Sequence, residues 1–169
     1  MARLRFRSPA AQPAAPRTAV GQFMASTLDG DMARSQYLRT RLQSGPGGVL
    51  HPGDVAFMEV AAELTALRYL GADYDVREVT ALVAQGKAAV AGSSTEFGHL
   101  EAEAVFRVAL GEEDVDLTGI TRKDLYTLRT YLIILVALKQ AWSEAEIREL
   151  IVQAEDAAFD RGAEPPLAR

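Results

Sequence analysis

Residues 121–156 have the sequence TRKDLYTLRTYLIILVALKQAWSEAEIRELIVQAED and decide the fold class, because they contain two consecutive helix patterns. In the first pattern, leucines at positions 125, 128, 132, 135 and 138 recur at the spacing of one helix face. In the second, Ser143 and Glu146 have the spacing of a capping box, which satisfies free amides at a helix start. The stretch therefore predicts two helices joined by a short turn around Trp142.

The first of these helices is apolar on every side. Residues 131–138, YLIILVAL, are eight consecutive apolar residues, far fewer than the roughly 20 that a transmembrane helix needs. A helix that lacks a polar face is usually buried on all sides. We therefore expect this helix to lie at the centre of the core, and we expect no membrane-spanning segment.

Three further helices are predicted upstream. The first begins at Asp54, whose side chain is placed to accept free amides of the first turn, and it continues to about residue 70. Asp75 and Glu78 have capping-box spacing and open the second helix, while Ser93 and Glu96 open the third. Residues 54–162 are thus predicted to form a helical domain of five main helices.

The sequence also repeats weakly at a distance of 68 residues. This shift places the first main helix on the fourth and the second on the fifth, with Tyr74 on Trp142 and Gln85 on Gln153. Any two amphipathic hairpins would match along their apolar stripes, so a duplication and a coincidence both stay open. The prediction is an all-α fold of two antiparallel helical hairpins plus a bridging helix, with Tyr74 and Trp142 packed against the core.

Weaker segments precede this domain. Residues 1–17 contain three prolines among alanines and arginines and are predicted to be a disordered basic arm. Residues 18–43 are predicted to form one or two weak amphipathic helices, and the glycine- and proline-rich residues 44–53 a loop. Residues 163–169 are expected to be a tail.

Charge is distributed unevenly along the chain. Residues 1–53 contain seven arginines and two aspartates, a net charge of +5, whereas the remainder contains 11 basic and 21 acidic residues, a net charge of −10. A basic arm in front of an acidic body indicates either an electrostatic partner for the arm or an arm that folds back onto its own body.

These features favour a non-enzymatic protein-interaction, adaptor or regulatory domain, as a monomer or a homo-oligomer, in the cytoplasm. The segment around Phe23, Met24 and Leu28 is the candidate partner-binding element, because it has an apolar helical face. It is expected to dock in a helical groove of its own chain or of a neighbour, where it would act as a latch.

The alternative is a nucleic-acid-associated regulator or packaging protein that holds phosphate groups with the arginines of the N-terminal region. The candidate residues are Arg3, Arg5, Arg7, Arg17, Arg34, Arg39 and Arg41. The last helix is a poor DNA-reading element, because its Arg148 stands among six acidic residues that would repel phosphate.

The sequence contains few residue patterns typical of catalytic, metal-binding or cofactor-binding sites. The chain has no cysteine and two histidines, so we predict no catalytic residue, metal site or cofactor. Glu96 and His99 have the spacing of one half of a di-iron carboxylate site, but such a site needs this pair twice.

Three structural outcomes distinguish the function classes. An adaptor should expose an apolar groove, and a nucleic-acid-binding protein should gather its arginines into one continuous patch. An enzyme should have a closed pocket into which glutamate and histidine side chains converge.

Overall fold

A computed structural model describes residues 14–43, 50–71, 73–90 and 97–168, which form seven α-helices. The helices are α1 (Ala19–Leu28), α2 (Met32–Gln43), α3 (Pro52–Leu70), α4 (Val76–Val90), α5 (His99–Ala109), α6 (Arg122–Lys139) and α7 (Glu144–Asp160). The all-α prediction is confirmed, and the described residues contain only an isolated β-bridge between Thr18 and Leu167. None of the helices in these ranges is both long and apolar enough to cross a membrane.

Helix α3 lies at the centre of the core. It packs against α5, α6 and α7, and its small side chains Ala61, Ala62 and Ala66 are buried, which lets these neighbours approach closely. The prediction that α6 is the central helix is wrong. Because α6 packs mainly against α3 and α5, it buries one face, and Leu138 at its carboxyl end is 72% exposed.

Ion pairs and cation–π contacts give the directions of the central helices. Glu59 pairs with Arg129 at 3.0 Å, and Tyr69 lies against Lys139, so α3 and α6 run parallel. Helix α7 runs antiparallel to α3, because Arg161 just after its end pairs with Glu63, whereas Glu149 nearer its start lies beside Arg68. Its first turns lie instead beside the carboxyl end of α3.

The predicted hairpin arrangement is not what these contacts describe. Gln85, near the end of α4, contacts Lys139 at the carboxyl end of α6. This contact lies in the second half of α4 and brings it beside the carboxyl end of α6, and α4 does not return along α3. It packs mainly on α5, and α7 packs on α3 and α1. Tyr74 and Trp142 do pack against the core, as predicted.

The capping signals are confirmed at the last two helices. The Ser143 hydroxyl accepts a hydrogen bond from the amide of Glu146, whose side chain in turn accepts from the amide of Ser143 at 2.7 Å. The Thr121 hydroxyl caps α6 by accepting from the amide of Asp124 at 3.2 Å. These caps depend only on residues within one turn, so the sequence predicts them well.

Two other helix starts differ from the prediction. Helix α3 begins at Pro52, with His51 as its cap, because a proline without an amide is favoured at a first helical position. Asp54 is therefore not the cap, and the predicted loop 44–53 is two residues too long. Helix α5 begins at His99 after Gly98, and the predicted start at Ser93 and Glu96 lies outside the described residues.

Candidate functional site

A buried glutamate anchors the N-terminal segment to the body. Glu155 in α7 is 0% exposed, and its carboxylate accepts hydrogen bonds from the amides of Arg17 at 2.9 Å and Thr18 at 2.7 Å, and from the Thr18 hydroxyl at 2.8 Å. The C-terminal tail completes this anchor, because the Ala168 amide donates to the Arg17 carbonyl at 2.8 Å. The predicted disordered arm, residues 1–17, is therefore wrong at Arg17, which belongs to the folded body. Residues 1–13 of that arm lie outside the described residues.

The same anchor starts α1. Thr18 is the N-cap, and its hydroxyl accepts from the amide of Gly21 at 2.9 Å. A Cβ atom on Gly21 would lie 2.4 Å from Glu155 Oε1 and 3.1 Å from a methyl group of Ile151. Glycine at this position therefore allows α1 to lie directly on α7.

The residues predicted to bind a partner pack into the core of their own chain. Phe23 is 8% exposed and Met24 is 1% exposed, and Leu28 packs partly buried against the same core. Helix α1 thus occupies a groove of its own chain, which is one of the two placements that the sequence predicts. Binding of another protein through these three residues stays a prediction that requires α1 to leave the groove.

The described arginines of the N-terminal region have different neighbours. Arg17 pairs with Asp156 on α7 at 2.5 Å, and Arg34 donates to Gln22 on α1 at 3.3 Å. On the α2 helical wheel, Arg39 lies on the flank opposite Arg34, and its charge acts on Tyr126 of α6. Arg34 and Arg41 lie seven residues apart and share a face of α2, whereas Arg39 lies on another face of that helix.

Arg41 lies over the ring of Tyr37, 5.9 Å from its centroid. The structure does not test the predicted phosphate binding by Arg3, Arg5 and Arg7, because these residues lie outside the described ranges.

A different surface forms where α3 and α6 end side by side. The guanidinium of Arg68 lies 5.7 Å from the ring centroid of Trp142, and the ammonium of Lys139 lies 5.6 Å from that of Tyr69. Leu67 and Leu138, the residues just before these two cations, are 44% and 72% exposed. We call this cluster the carboxyl-end surface; it comprises Leu67, Arg68, Tyr69, Leu138, Lys139 and Trp142.

The two cations of this surface have different partners. Lys139 donates a 2.9 Å hydrogen bond to the neutral side chain of Gln85, and it has no acidic partner within ion-pair distance among residues 14–43, 50–71, 73–90 and 97–168. Arg68 has Glu149 at 3.9 Å, the outer limit of an ion pair. Arg68 also lowers the pKa of Glu146 by its charge, so two acidic side chains lie near this cation.

Several glutamates elsewhere are paired within the chain. Of the four glutamates at 59, 63, 101 and 103, Glu59 pairs with Arg129, Glu63 with Arg161, and Glu103 with His99. His99 therefore has a neighbour on its own helix, and Glu96 lies outside the described residues. The described residues contain no group of three or more histidines and carboxylates that could hold a metal ion.

A surface pocket of about 580 Å³ lies between the start of α3 and the end of α7. His51, Glu59, Arg161 and Glu164 contribute its charged and ionisable side chains. His51 Nδ1 accepts the Gly53 amide at 3.1 Å, so this nitrogen serves as the cap of α3. Glu59 and Arg161 are held in ion pairs with Arg129 and Glu63.

Asp54 is the unusual ionisable group of the core. It is 1% exposed, and its Oδ1 atom has no hydrogen-bond partner among the described residues. Burial raises the pKa of Asp54 to about 6, although the nearby His51 opposes the shift. Burial also raises the pKa of Tyr126 on α6, and the adjacent Asp54 carboxylate adds to that shift.

Sequence reasoning missed both Glu155 and the carboxyl-end surface. Glu155 resembles its exposed neighbours in type, and Leu67 and Leu138 lie on the predicted apolar stripes. The one available signal was Trp142, the only tryptophan of the chain, which follows shortly after Lys139. Comparisons with protein-family models, with curated proteins and with solved structures gave no match.

Proposed function

We propose that this domain is a non-enzymatic protein-binding module that contacts its partner through the carboxyl-end surface. The observation that carries the proposal is the exposure of two leucines at the helix ends where Tyr69 and Trp142 lie under cations. Tryptophan, tyrosine and arginine are the residues most enriched at the energetic centres of protein interfaces. The surface therefore has the composition of a binding site.

The fold itself gains little from these leucines. Full burial of a leucine stabilises a protein by about 1.5–3 kcal/mol relative to exposure, and Leu138 at 72% exposure forgoes most of this gain. A partner that covered Leu67 and Leu138 would recover it. By contrast, Leu132, six residues earlier on the same helix, is 0% exposed and packs in the core.

Peptide display on the full-length protein tests the proposal. Random peptides selected on the wild-type chain should bind Leu138→Ala and Leu67→Ala at least about fivefold more weakly, which is a loss of about 1 kcal/mol for each leucine. Leu167→Ala is the matched control, because Leu167 is 65% exposed and lies in the tail that pairs with Thr18 and Ala19, at the other end of α7. The proposal fails if no peptide is selected, or if the selected peptides bind Leu138→Ala as well as wild type.

The nucleic-acid alternative stays a prediction, and two of its residues have partners within the chain, because Arg17 pairs with Asp156 and Arg34 donates to Gln22. It depends chiefly on residues 1–13, which lie outside the described ranges. Fluorescence anisotropy of labelled duplex and single-stranded DNA at several salt concentrations tests it directly, because phosphate contacts give steeply salt-dependent binding.

A further inference from the structure

We infer that the face of α2 formed by Arg34, Tyr37 and Arg41 binds single-stranded nucleic acid, with one base stacked on Tyr37 and the phosphates on either side of that base held by the two arginines. This inference goes beyond the proposed function, because the face lies on a different helix from the carboxyl-end surface. It is also separate from the arginines of residues 1–13, on which the nucleic-acid alternative chiefly depends.

The three residues are aligned along one side of the helix. They are three and four residues apart, which places them in a row about 10 Å long. All three are exposed, whereas the buried side chains of Ser35 and Leu38 hold α2 against the body. Tyr37 is 61% exposed, and the Arg41 guanidinium lies 5.9 Å from the centroid of its ring. The row therefore presents an aromatic ring between two cations.

The charge of Arg34 differs from that of arginines on other helices in its partner. Arg68, Arg107 and Arg148, the arginines of α3, α5 and α7, each form an ion pair with a carboxylate. Within the described ranges, the Arg34 guanidinium has no carboxylate at ion-pair distance and donates to the neutral side chain of Gln22. Helix α2 contains no acid, and α1, which packs on it, contains no charged residue. Because its partner is neutral, Arg34 keeps its charge for an external phosphate.

The acids nearest in sequence lie at the start of α2. Asp31 accepts from the Arg34 amide at 3.1 Å, and Asp29 lies near Glu144 of α7. Arg41 follows Asp31 by ten residues, about 15 Å along the helix axis, which exceeds the screening length of about 8 Å at physiological ionic strength. These two aspartates therefore act mainly on the first turn of α2.

The aromatic ring indicates which class of polyanion fits the face. Bases of a single strand can stack on an aromatic side chain, whereas a duplex buries the faces of its bases between neighbouring base pairs. Arg34 and Arg41 stand about one turn before and one turn after Tyr37, on either side of a stacked base. An acidic membrane is a poorer match, because Leu38 and Leu42, the leucines of α2, pack against the core.

Fluorescence anisotropy of labelled oligonucleotides titrated with the full-length protein tests the stacked base. The probes are oligothymidine and oligouridine of about 20 nucleotides and a DNA duplex of the same length. Tyr37→Ala should weaken binding of the single strands at least about fivefold and leave binding of the duplex unchanged, because only the single strand loses a stacked base. Tyr37→Phe keeps the ring and should bind as wild type does.

The arginines should change the salt dependence instead. Each phosphate contact to a single strand contributes about −0.7 to the slope of log affinity against log salt concentration. Arg34→Gln and Arg41→Gln should each make this slope shallower by about 0.7, whereas Tyr37→Ala should leave it unchanged. Arg39→Gln is the matched control, because it removes the same charge from another face of α2 and should leave the slope unchanged. The four substituted residues are exposed, so circular dichroism melts should show a native fold in every variant.

Four results would overturn the inference. The first is the absence of single-strand binding at low salt, and the second is a loss of binding only when the arginines of residues 1–13 are changed to glutamine. The third is an equal change of slope in Arg39→Gln and Arg34→Gln, which would show attraction to the whole helix rather than to this face. The fourth is binding of acidic phospholipid vesicles that depends on Arg34 and Arg41 while oligonucleotides do not bind. Peptide display at the carboxyl-end surface tests the proposed function separately from all four.

Discussion

The buried carboxylate of Glu155 accepts hydrogen bonds from both the amide and the hydroxyl of Thr18, a residue 137 positions earlier in the chain. This contact joins the first helix to the last one and makes the N-terminal segment from Arg17 onward part of the folded body. Arg17, the last arginine of the predicted basic arm, is therefore held on α7, and residues 1–13 lie outside the described ranges.

Removal of the anchor should destabilise the protein. Glu155→Leu leaves the amides of Arg17 and Thr18 without acceptors, and we expect it to lower the free energy of unfolding by about 3 kcal/mol or more. Glu155→Gln keeps one acceptor oxygen and should lose less. Asp156→Asn is the control, because that carboxylate forms only an exposed ion pair with Arg17 and should cost under about 1 kcal/mol. Urea unfolding followed by circular dichroism measures all three, and equal losses would contradict this account.

A methyl group on Gly21 tests the close approach of α1 and α7. Gly→Ala within a helix usually stabilises by about 1 kcal/mol, but here the Cβ would lie 2.4 Å from Glu155 Oε1, and we expect a net loss of about 2 kcal/mol. At Gly86 a Cβ would meet only a Leu135 methyl at 2.9 Å, which can rotate away, so Gly86→Ala should change the free energy by less than about 1 kcal/mol. Thermal melts of the two variants compare them, and similar melting temperatures would argue against the predicted clash.

Asp54 should make stability depend on pH. Its pKa is about 6 in the folded protein and 3.8 in its ordinary state, so the folded state binds this proton more tightly than the unfolded state does. Stability from this group is therefore fully present below about pH 4, is lost as pH rises through 6, and stays lost above. Two pKa units correspond to at most about 3 kcal/mol, so Asp54→Asn should stabilise the protein at pH 7.5 by up to this amount.

Unfolding of wild type and Asp54→Asn at pH 4.5, 6 and 7.5 should show a growing advantage of the variant as pH rises. Asp114→Asn, in the exposed connector after α5, is the matched control and should run parallel to wild type. A variant that is less stable than wild type at pH 7.5 would mean that the Asp54 carboxylate has a stabilising partner.

The exposed leucine of α6 should be dispensable for folding. Leu138→Ala should change the free energy of unfolding by less than about 1 kcal/mol, because 72% of this residue is in contact with solvent. Leu132→Ala removes a fully buried side chain from the same helix and should cost about 3 kcal/mol. Chemical unfolding distinguishes the two, and a large loss at Leu138 would assign this residue to the core rather than to a binding surface.

The sequence by itself determined the features that depend on neighbours within one or two helical turns. The capping pair Ser143 and Glu146, the cap at Thr121 and the all-α class follow from hydrogen bonds and apolar spacing that close locally. The start of α3 was misplaced because Asp54 fits the capping pattern better than His51 does, and only tertiary packing makes Asp54 a buried residue.

The tertiary structure alone decided which helix is central, which stripe residues stay exposed and which acids are buried. Leu132 and Leu138 have the same type and lie on the same predicted stripe, yet one is 0% and the other 72% exposed, because α6 is covered by α3 and α5 along only part of its surface. Glu155 and Asp156 are adjacent acids, yet the N-terminal segment covers only the first. Such differences depend on contacts between residues far apart in the chain, which local spacing does not encode.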